Sequence, residues 1–417
     1  MTTNLSVFSN TAVQLFAKAI TVLSNIFVMI LILRGYGVAG AGEYTKALSY
    51  VAVFYFLCDF GLNAIAVRLA TEEKNTTVFS HLLVVRTVGS LILVFIALAI
   101  LPFLPYDVST GIGYSPLTMG AIILLIPTII LYGLQLSTNA IFQFTMRYDK
   151  AAISTIIGTL TSLALFYIAV TFQWPFVVAM IAYGVGYGVM AFVSLLLARI
   201  SITIPSREQW TRLLFGAFPL GTILFINFIY SKADIFILTG YRSTEEVGYY
   251  GLAYRVFEVL LTIPTFFANS FYPVLLGLIS SKSTDLHQHL TKYSKLLLGS
   301  AVGIGILSFV FQDYLTFIDP AFAQAIPLFR ILIFSLPFFF LSSLYQWVLI
   351  ATKQYGLLLL IYAIAMTLGV SMNLFFVPRY GAMASALITC AVEIIVFFST
   401  YYLSKQFLQH HKPHGTV

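Results

Sequence analysis

Charge is what this sequence has least of. Only 9% of its 417 residues are Asp, Glu, Lys or Arg, and 60% are hydrophobic, whereas soluble domains carry roughly 25% charged residues. At a mean hydropathy of +0.95 a water-soluble fold would expose apolar surface everywhere and aggregate, so hydrocarbon is the solvent that suits the chain. Long polar tracts are missing as well. The stretches poorest in apolar residues, 71–80, 201–212 and 280–294, are too short to bury cores of their own, which excludes a soluble catalytic domain. Cysteine is nearly absent. Cys58 and Cys390 sit inside apolar runs, with no disulfide framework and no metal-ligand spacing between them. No GxxxxGK[ST] loop and no HExxH helix occurs, so neither ATP-driven work by this chain nor zinc hydrolysis is expected. The reading is of a non-enzyme with no cofactor and no metal.

What is present is a succession of apolar runs, each about the 20 residues that one helical crossing needs. The runs fall at 10–33, 45–67, 82–101, 117–140, 151–171, 176–198, 212–239, 248–279, 293–311, 325–350, 355–377 and 381–404. They predict an all-α membrane protein with about 12 transmembrane helices. No basic segment or small-residue cleavage site precedes Asn10, so the first run is expected to stay as a helix rather than be removed as a signal.

The net charge of +7 has a topological reading. Fourteen Lys and Arg, including Arg68, Lys74, Arg86, Lys282 and Lys412, fall in connections on one side. Four, Arg34, Lys46, Arg242 and Arg379, fall on the other. Positive charge collects on the cytoplasmic face, which places both termini in the cytoplasm and requires an even number of crossings. The connections at 102–116 and 312–324 hold Asp107, Asp313 and Asp319 but no cation and so belong outside. Nucleic acid is not an expected partner.

A repeat is visible. Arg34-Gly35-Tyr36, then Gly42-Glu43-Tyr44 and Ala47, recurs about 206 residues later as Gly240-Tyr241-Arg242, then Gly248-Tyr249-Tyr250 and Ala253. It predicts two pseudo-symmetric six-helix bundles in the same orientation, 1–200 and 212–404, joined by a cytoplasmic linker at 201–211 and followed by a tail at 405–417. Transporters built from parallel repeats hold substrate between the halves, which is the central cavity expected here.

Charges inside membrane spans are costly and mark function or pairing. The candidates are Lys18, Asp59, Lys232, Asp234, Arg255, Glu258, Arg330 and Glu393. Arg255 and Glu258 are three apart and share a helix face, whereas Lys232 and Asp234 are two apart and do not. Arg330 either snorkels to the interface or faces a cavity, and Lys18 has the same two readings. Asp59 and Glu393 read as protonation sites or as partners of a Lys or Arg. Asn63, Gln135, Asn139 and Asn373 read as interhelical glue. Pro127, Pro219 and Pro337 are candidate bends, and Gly184, Gly186 and Gly188 read as close helix packing.

Gly42-Glu43-Tyr44, Asp59-Phe60-Gly61-Leu62-Asn63 and Val67-Arg68-Leu69-Ala70, with Phe218-Pro219-Leu220, Lys232-Ala233-Asp234, Val247-Gly248-Tyr249-Tyr250, Ala253-Tyr254-Arg255 and Val377-Pro378-Arg379-Tyr380-Gly381-Ala382, resemble in order and spacing the Wzx-type polysaccharide flippases. These belong to the multidrug/oligosaccharidyl-lipid/polysaccharide exporter superfamily. The resemblance spans nearly the whole chain. It implies a multi-pass bacterial inner-membrane protein that moves undecaprenyl-diphosphate-linked oligosaccharide, an O-antigen or capsule precursor, by alternating access. Implied partners are membrane lipid, a proton or sodium counter-ion, and the polysaccharide polymerase and chain-length regulator of the pathway. Lys18, Lys232, Arg255 and Arg330 would then be substrate cations, and Asp59, Asp234, Glu258 and Glu393 ion-coupling or paired acids. Two alternatives stay open: a multidrug/cation antiporter of the same superfamily, and an integral-membrane polysaccharide-assembly enzyme. The connection at 102–116 is short for the second.

Overall fold

The computed structural model describes residues 2–280 and 286–410; Lys282, Lys412 and most of the tail lie outside the described residues. The chain is almost entirely helical. Its first part comprises α1 (Thr2–Asp59), α2 (Leu62–Glu73), α3 (Thr77–Ile100), α4 (Pro116–Leu125), α5 (Thr128–Phe144), α6 (Tyr148–Thr171), α7 (Phe176–Ala179), α8 (Ile181–Ala198) and α9 (Arg207–Tyr241). Then come α10 (Thr244–Ser280), α11 (Leu286–Phe311), α12 (Leu315–Ile318), α13 (Phe322–Phe334), α14 (Leu336–Ala351) and α15 (Tyr355–His410). A two-residue antiparallel pair, β1 (Tyr106–Asp107) with β2 (Ile112–Gly113), closes the connection between α3 and α4. In its turn Asp107 accepts from Ser109 Oγ at 2.7 Å and Thr110 Oγ1 at 2.8 Å, which holds its carboxyl down at about 2.

Among the described residues, eight helices are long and apolar enough to cross a membrane, or nine if α13 and α14, bent by 41°, are one broken span. The protein is therefore a multi-pass integral membrane protein. Two of the eight, Val13–Glu73 and Tyr355–Leu408, are far longer than the ~20 residues of one crossing, and each is interrupted by a glycine. Gly37 stands at φ 70°, ψ −173° and Gly381 at φ 62°, ψ −144°. This is backbone that a residue with a Cβ resists. At Gly37 a Cβ would meet nothing within 4 Å, so conformation alone demands glycine there. Gly37→Ala is expected to destabilise the protein by about 1–3 kcal/mol, read as a lower melting temperature in detergent. An unchanged midpoint would contradict the strain. Pro337 follows the α13–α14 bend at the start of α14, and Pro127 sits at the α4–α5 break. Pro219, by contrast, lies inside an uninterrupted α9.

The helices pack as two compact units. Unit 1 comprises 1–228 and 243–248; unit 2 comprises 229–242 and 249–417. In unit 1, α2, α3, α5 and the start of α9 bury Leu62, Ala66, Phe79, Leu82, Ala140 and Leu213 together. The α6–α8 crossing is tight because it is built on glycine: a Cβ on Gly158 would come within 2.6 Å of the Gly186 carbonyl oxygen, and one on Gly186 within 2.9 Å of that of Gly158. Gly186 thus marks close packing as expected, while Gly184 and Gly188 have ordinary room. The segment 243–248 is seated just as closely. A Cβ on Gly42 would fall on the Thr244 carbonyl oxygen, and one on Gly248 on that of Val38.

In unit 2, α14 packs along α15 and α11, and α13 along α15. Asn373 ties the two limbs of α15 across the Gly381 kink. Its amide donates to Gly369 O at 2.8 Å and its Oδ1 accepts from Ser385 Oγ at 2.8 Å. This is the polar glue expected where hydrocarbon supplies no other partner.

Candidate functional site

Unit 2 gathers five of the eight candidate charges in one region. Lys232 and Asp234 are on α9, Arg255 and Glu258 one turn apart on α10, and Glu393 on α15. Lys232 Nζ reaches Glu258 Oε1 at 2.6 Å, and Arg255 Nη1 reaches Glu258 Oε2 at 3.2 Å. One carboxylate therefore serves two cations. The Lys232 ammonium also lies 4.8 Å from the centre of the Tyr254 ring, a cation–π distance. Lys232 and Glu258 remain 32% exposed and Arg255 30%, so the pair of cations is reachable.

The two other acids of this region rest on hydroxyls. Asp234 accepts from the Tyr250 hydroxyl and, at 2.7 Å, from the Ile235 amide. Glu393, buried in α15, accepts from the Tyr230 and Ser342 hydroxyls. A pocket of about 120 Å³ opens beside Asp234, lined also by Tyr230, Tyr254, Asn373 and Thr389 among others. Among the described residues no three His, Cys, Asp or Glu side chains assemble as a metal cluster.

The remaining candidates lie elsewhere. Arg330 is half-exposed; its Nε donates to Gln312 Oε1 at 3.0 Å and its Nη2 lies 3.7 Å from Asp313. Both partners lie in the connection between α11 and α12. Lys18 is exposed on α1 with no ion pair among the described residues.

Asp59 belongs to unit 1 and has an unexpected partner. Arg86 on α3 is 1% exposed and Asp59 36%. The Arg86 guanidinium reaches Asp59 Oδ1 at 3.4 Å and donates to Cys58 O at 3.0 Å, Asn63 Oδ1 at 2.8 Å and Ser137 Oγ at 3.3 Å. From sequence Arg86 is expected among the connection charges; it is instead the largest fully buried side chain of the described residues.

Lys46, expected in a connection on the same grounds, is also buried. It is 0% exposed and donates to Gly113 O and to Thr244 Oγ1, both at 2.7 Å. It thereby joins α1 to the β1–β2 hairpin and to the 243–248 segment. One turn earlier Glu43, which is not among the charges expected from sequence to be embedded, accepts from Ser115 Oγ at 2.8 Å and from Thr118. Hydropathy alone hides these groups, because each lies within a few residues of the edge of an apolar run. The signal that was available is the apolar sequence on both sides of Arg86, Leu82-Leu83-Val84-Val85 before it and Val88 after.

Comparison with known proteins adds a family and a fold. Residues 7–278, about two-thirds of the chain, match the family described as polysaccharide biosynthesis protein. No curated protein sequence matches the chain. Three solved structures are similar over nearly its whole length. One is a multidrug resistance MATE family transporter of the MOP superfamily in an inward-facing conformation, with a TM-score of 0.79 at 13% identity, covering 95% of this chain and 96% of that one. Another is the lipid II flippase MurJ in an inward closed conformation, with a TM-score of 0.77 at 16% identity, covering 95% of this chain and 89% of that one. A MOP superfamily transporter from Pyrococcus furiosus follows at a TM-score of 0.66 and 14% identity, covering 98% and 96%. At these identities the likeness is one of fold.

Proposed function

Since this chain belongs to the polysaccharide biosynthesis protein family and has the fold of MOP-superfamily transporters, we propose that it is a flippase. Its cargo on this reading is an oligosaccharide repeat unit linked to undecaprenyl diphosphate, an O-antigen or capsule precursor, carried across the bacterial inner membrane by alternating access. The observation that carries the reading is the group in which Lys232 and Arg255 share Glu258. Two partly exposed cations side by side suit a diphosphate, which they bind more strongly than neutral donors would.

Twelve crossings and cytoplasmic termini are part of the proposal. Counting the limbs on either side of Gly37 and of Gly381 separately, and adding the α13–α14 pair and α10 to the other six long helices, gives about twelve, each long enough for the ~20 residues one crossing needs. The halves would be 1–200 and 212–404, joined at 201–211. We assign counter-ion coupling, by a proton or sodium ion, to the acids of unit 2, with Asp234 on its pocket ahead of Glu393. The polymerase and chain-length regulator are the protein partners the reading implies.

The deciding experiment is complementation of a flippase-null strain with analysis of the glycan made. Restored surface polysaccharide is expected, and deletion of the gene in its own host should trap lipid-linked units in the cytoplasmic leaflet. Units reaching the outer leaflet at the normal rate after deletion would sink the reading.

A further inference from the structure

The partly exposed face of unit 1 that carries Asp59 also carries four tyrosines. Tyr55 of α1, Tyr132 of α5, and Tyr183 and Tyr187 of α8 converge. Ring centroids are 4.6 Å apart for Tyr55–Tyr132, 5.7 Å for Tyr55–Tyr187 and 5.0 Å for Tyr183–Tyr187. Helical spacing brings polar groups to the same face. Asp59 is one turn beyond Tyr55, and Asn139 two turns beyond Tyr132.

Some aromatic packing in this chain uses fully buried rings such as Phe79, Phe142 and Phe166. The four tyrosines differ: all are half-buried, and each has a hydroxyl. Tyr55 holds its own to Thr128 Oγ1 at 2.5 Å, which fixes the ring. A carboxylate at membrane depth rarely faces lipid; it faces a bundle interior or water.

Two further observations bear on the hydrogen bonding of this face. The Asn139 Oδ1 is buried with no hydrogen-bond partner among the described residues, which is uncommon for a satisfied interior. Arg86, the nearby cation, is already committed to Asp59, Asn63, Ser137 and the Cys58 carbonyl. The face therefore offers flat apolar rings bordered by acceptors, with no cation to spare.

A pyranose has the complementary form. One side of its ring is a sheet of C–H bonds, and its rim carries hydroxyls that donate. We propose that this tyrosine face binds the sugar rings of the cargo, with Tyr55, Tyr132 and Tyr187 stacking on C–H faces and Asp59 and Asn139 taking hydroxyls. The assignment rests on the flippase reading and deepens it by naming residues that would read the glycan.

The test uses the purified full chain in detergent and two probes. One is undecaprenyl-diphosphate oligosaccharide extracted from the source strain deleted for this gene, and the other is undecaprenyl diphosphate without sugar. The unaltered protein should bind the glycosylated lipid about tenfold more tightly or better, a margin of about 1.4 kcal/mol. Tyr132→Leu should erase that margin and leave binding of the bare lipid unchanged, while Tyr132→Phe, which keeps the ring, should retain most of it. Tyr187→Leu replaces Tyr132→Leu if the latter does not elute as a single species. A margin that survives the leucine variant, or equal binding of both lipids by the unaltered protein, overturns the tyrosine assignment. If the unaltered protein binds neither lipid, the flippase reading falls with it.

Discussion

Glu258→Gln should cut polysaccharide export by about tenfold while the protein still inserts. The carboxylate receives a charge-assisted hydrogen bond from Lys232 at 2.6 Å and another from Arg255 at 3.2 Å. Such a bond contributes about 1.5–3 kcal/mol, so losing one at full strength corresponds to roughly 100-fold in an equilibrium. Both cations are about one-third exposed, and solvent screening lowers that figure, which gives the tenfold expectation. The amide still accepts a hydrogen bond but no longer offsets two positive charges, so the cations repel and lose their spacing. Glu258→Asp keeps the charge on a shorter arm and should fall between the two. Arg255→Ala should impair export too, by removing half of the diphosphate grip. The readout is surface polysaccharide normalised to the amount of inserted protein. Full export by Glu258→Gln at normal protein levels would remove the cation group from the mechanism.

Arg86→Ala should be the most damaging single change to stability. Arg86 is 1% exposed and holds four acceptors, Asp59, Asn63, Ser137 and the Cys58 carbonyl. Truncation opens a cavity and strips partners from all four at once. Removing one member of a buried pair costs about 3–5 kcal/mol, of which the Asp59 share is modest, because that carboxylate is 36% exposed and partly solvated. A lysine cannot replace the guanidinium, since it lacks the fork that reaches several acceptors. Fluorescence-detected size exclusion after heating would show the loss as a lowered midpoint or as no folded protein at all. The double variant Arg86→Met with Asp59→Asn should recover part of the midpoint, because it removes the stranded charge and refills volume. A midpoint for Arg86→Ala within about 0.5 kcal/mol of the parent, the range of an inconsequential surface change, would show that the network contributes little.

Arg86 also illustrates how far the sequence could be read. The helices were legible because a crossing needs a long apolar run and little else. Their starts were not. The runs at 82–101 and 45–67 begin so close to Arg86 and Lys46 that both read as connection charges, but a helix begins wherever its backbone can, and α3 starts at Thr77, before hydropathy rises. Nine residues on, Arg86 stands about 13 Å along the axis and cannot reach the interface with a chain fully engaged in hydrogen bonds. Lys46 was misplaced for the same reason, since α1 resumes immediately after the Gly37 kink. The Arg255–Glu258 contact was within reach, because i, i+3 spacing is local geometry. Lys232–Glu258, Tyr230–Glu393 and Arg86–Asp59 were not, because helix packing brings together residues that no spacing rule connects.

The segment at 243–248 has a topological consequence. Its glycines and Lys46 seat it in unit 1, although the residues on either side of it belong to unit 2. The backbone therefore changes allegiance at 228/229, at 242/243 and again at 248/249. The two bodies are laced by a strand that passes out, back and out once more, and no single scission of the polypeptide could yield both of them whole.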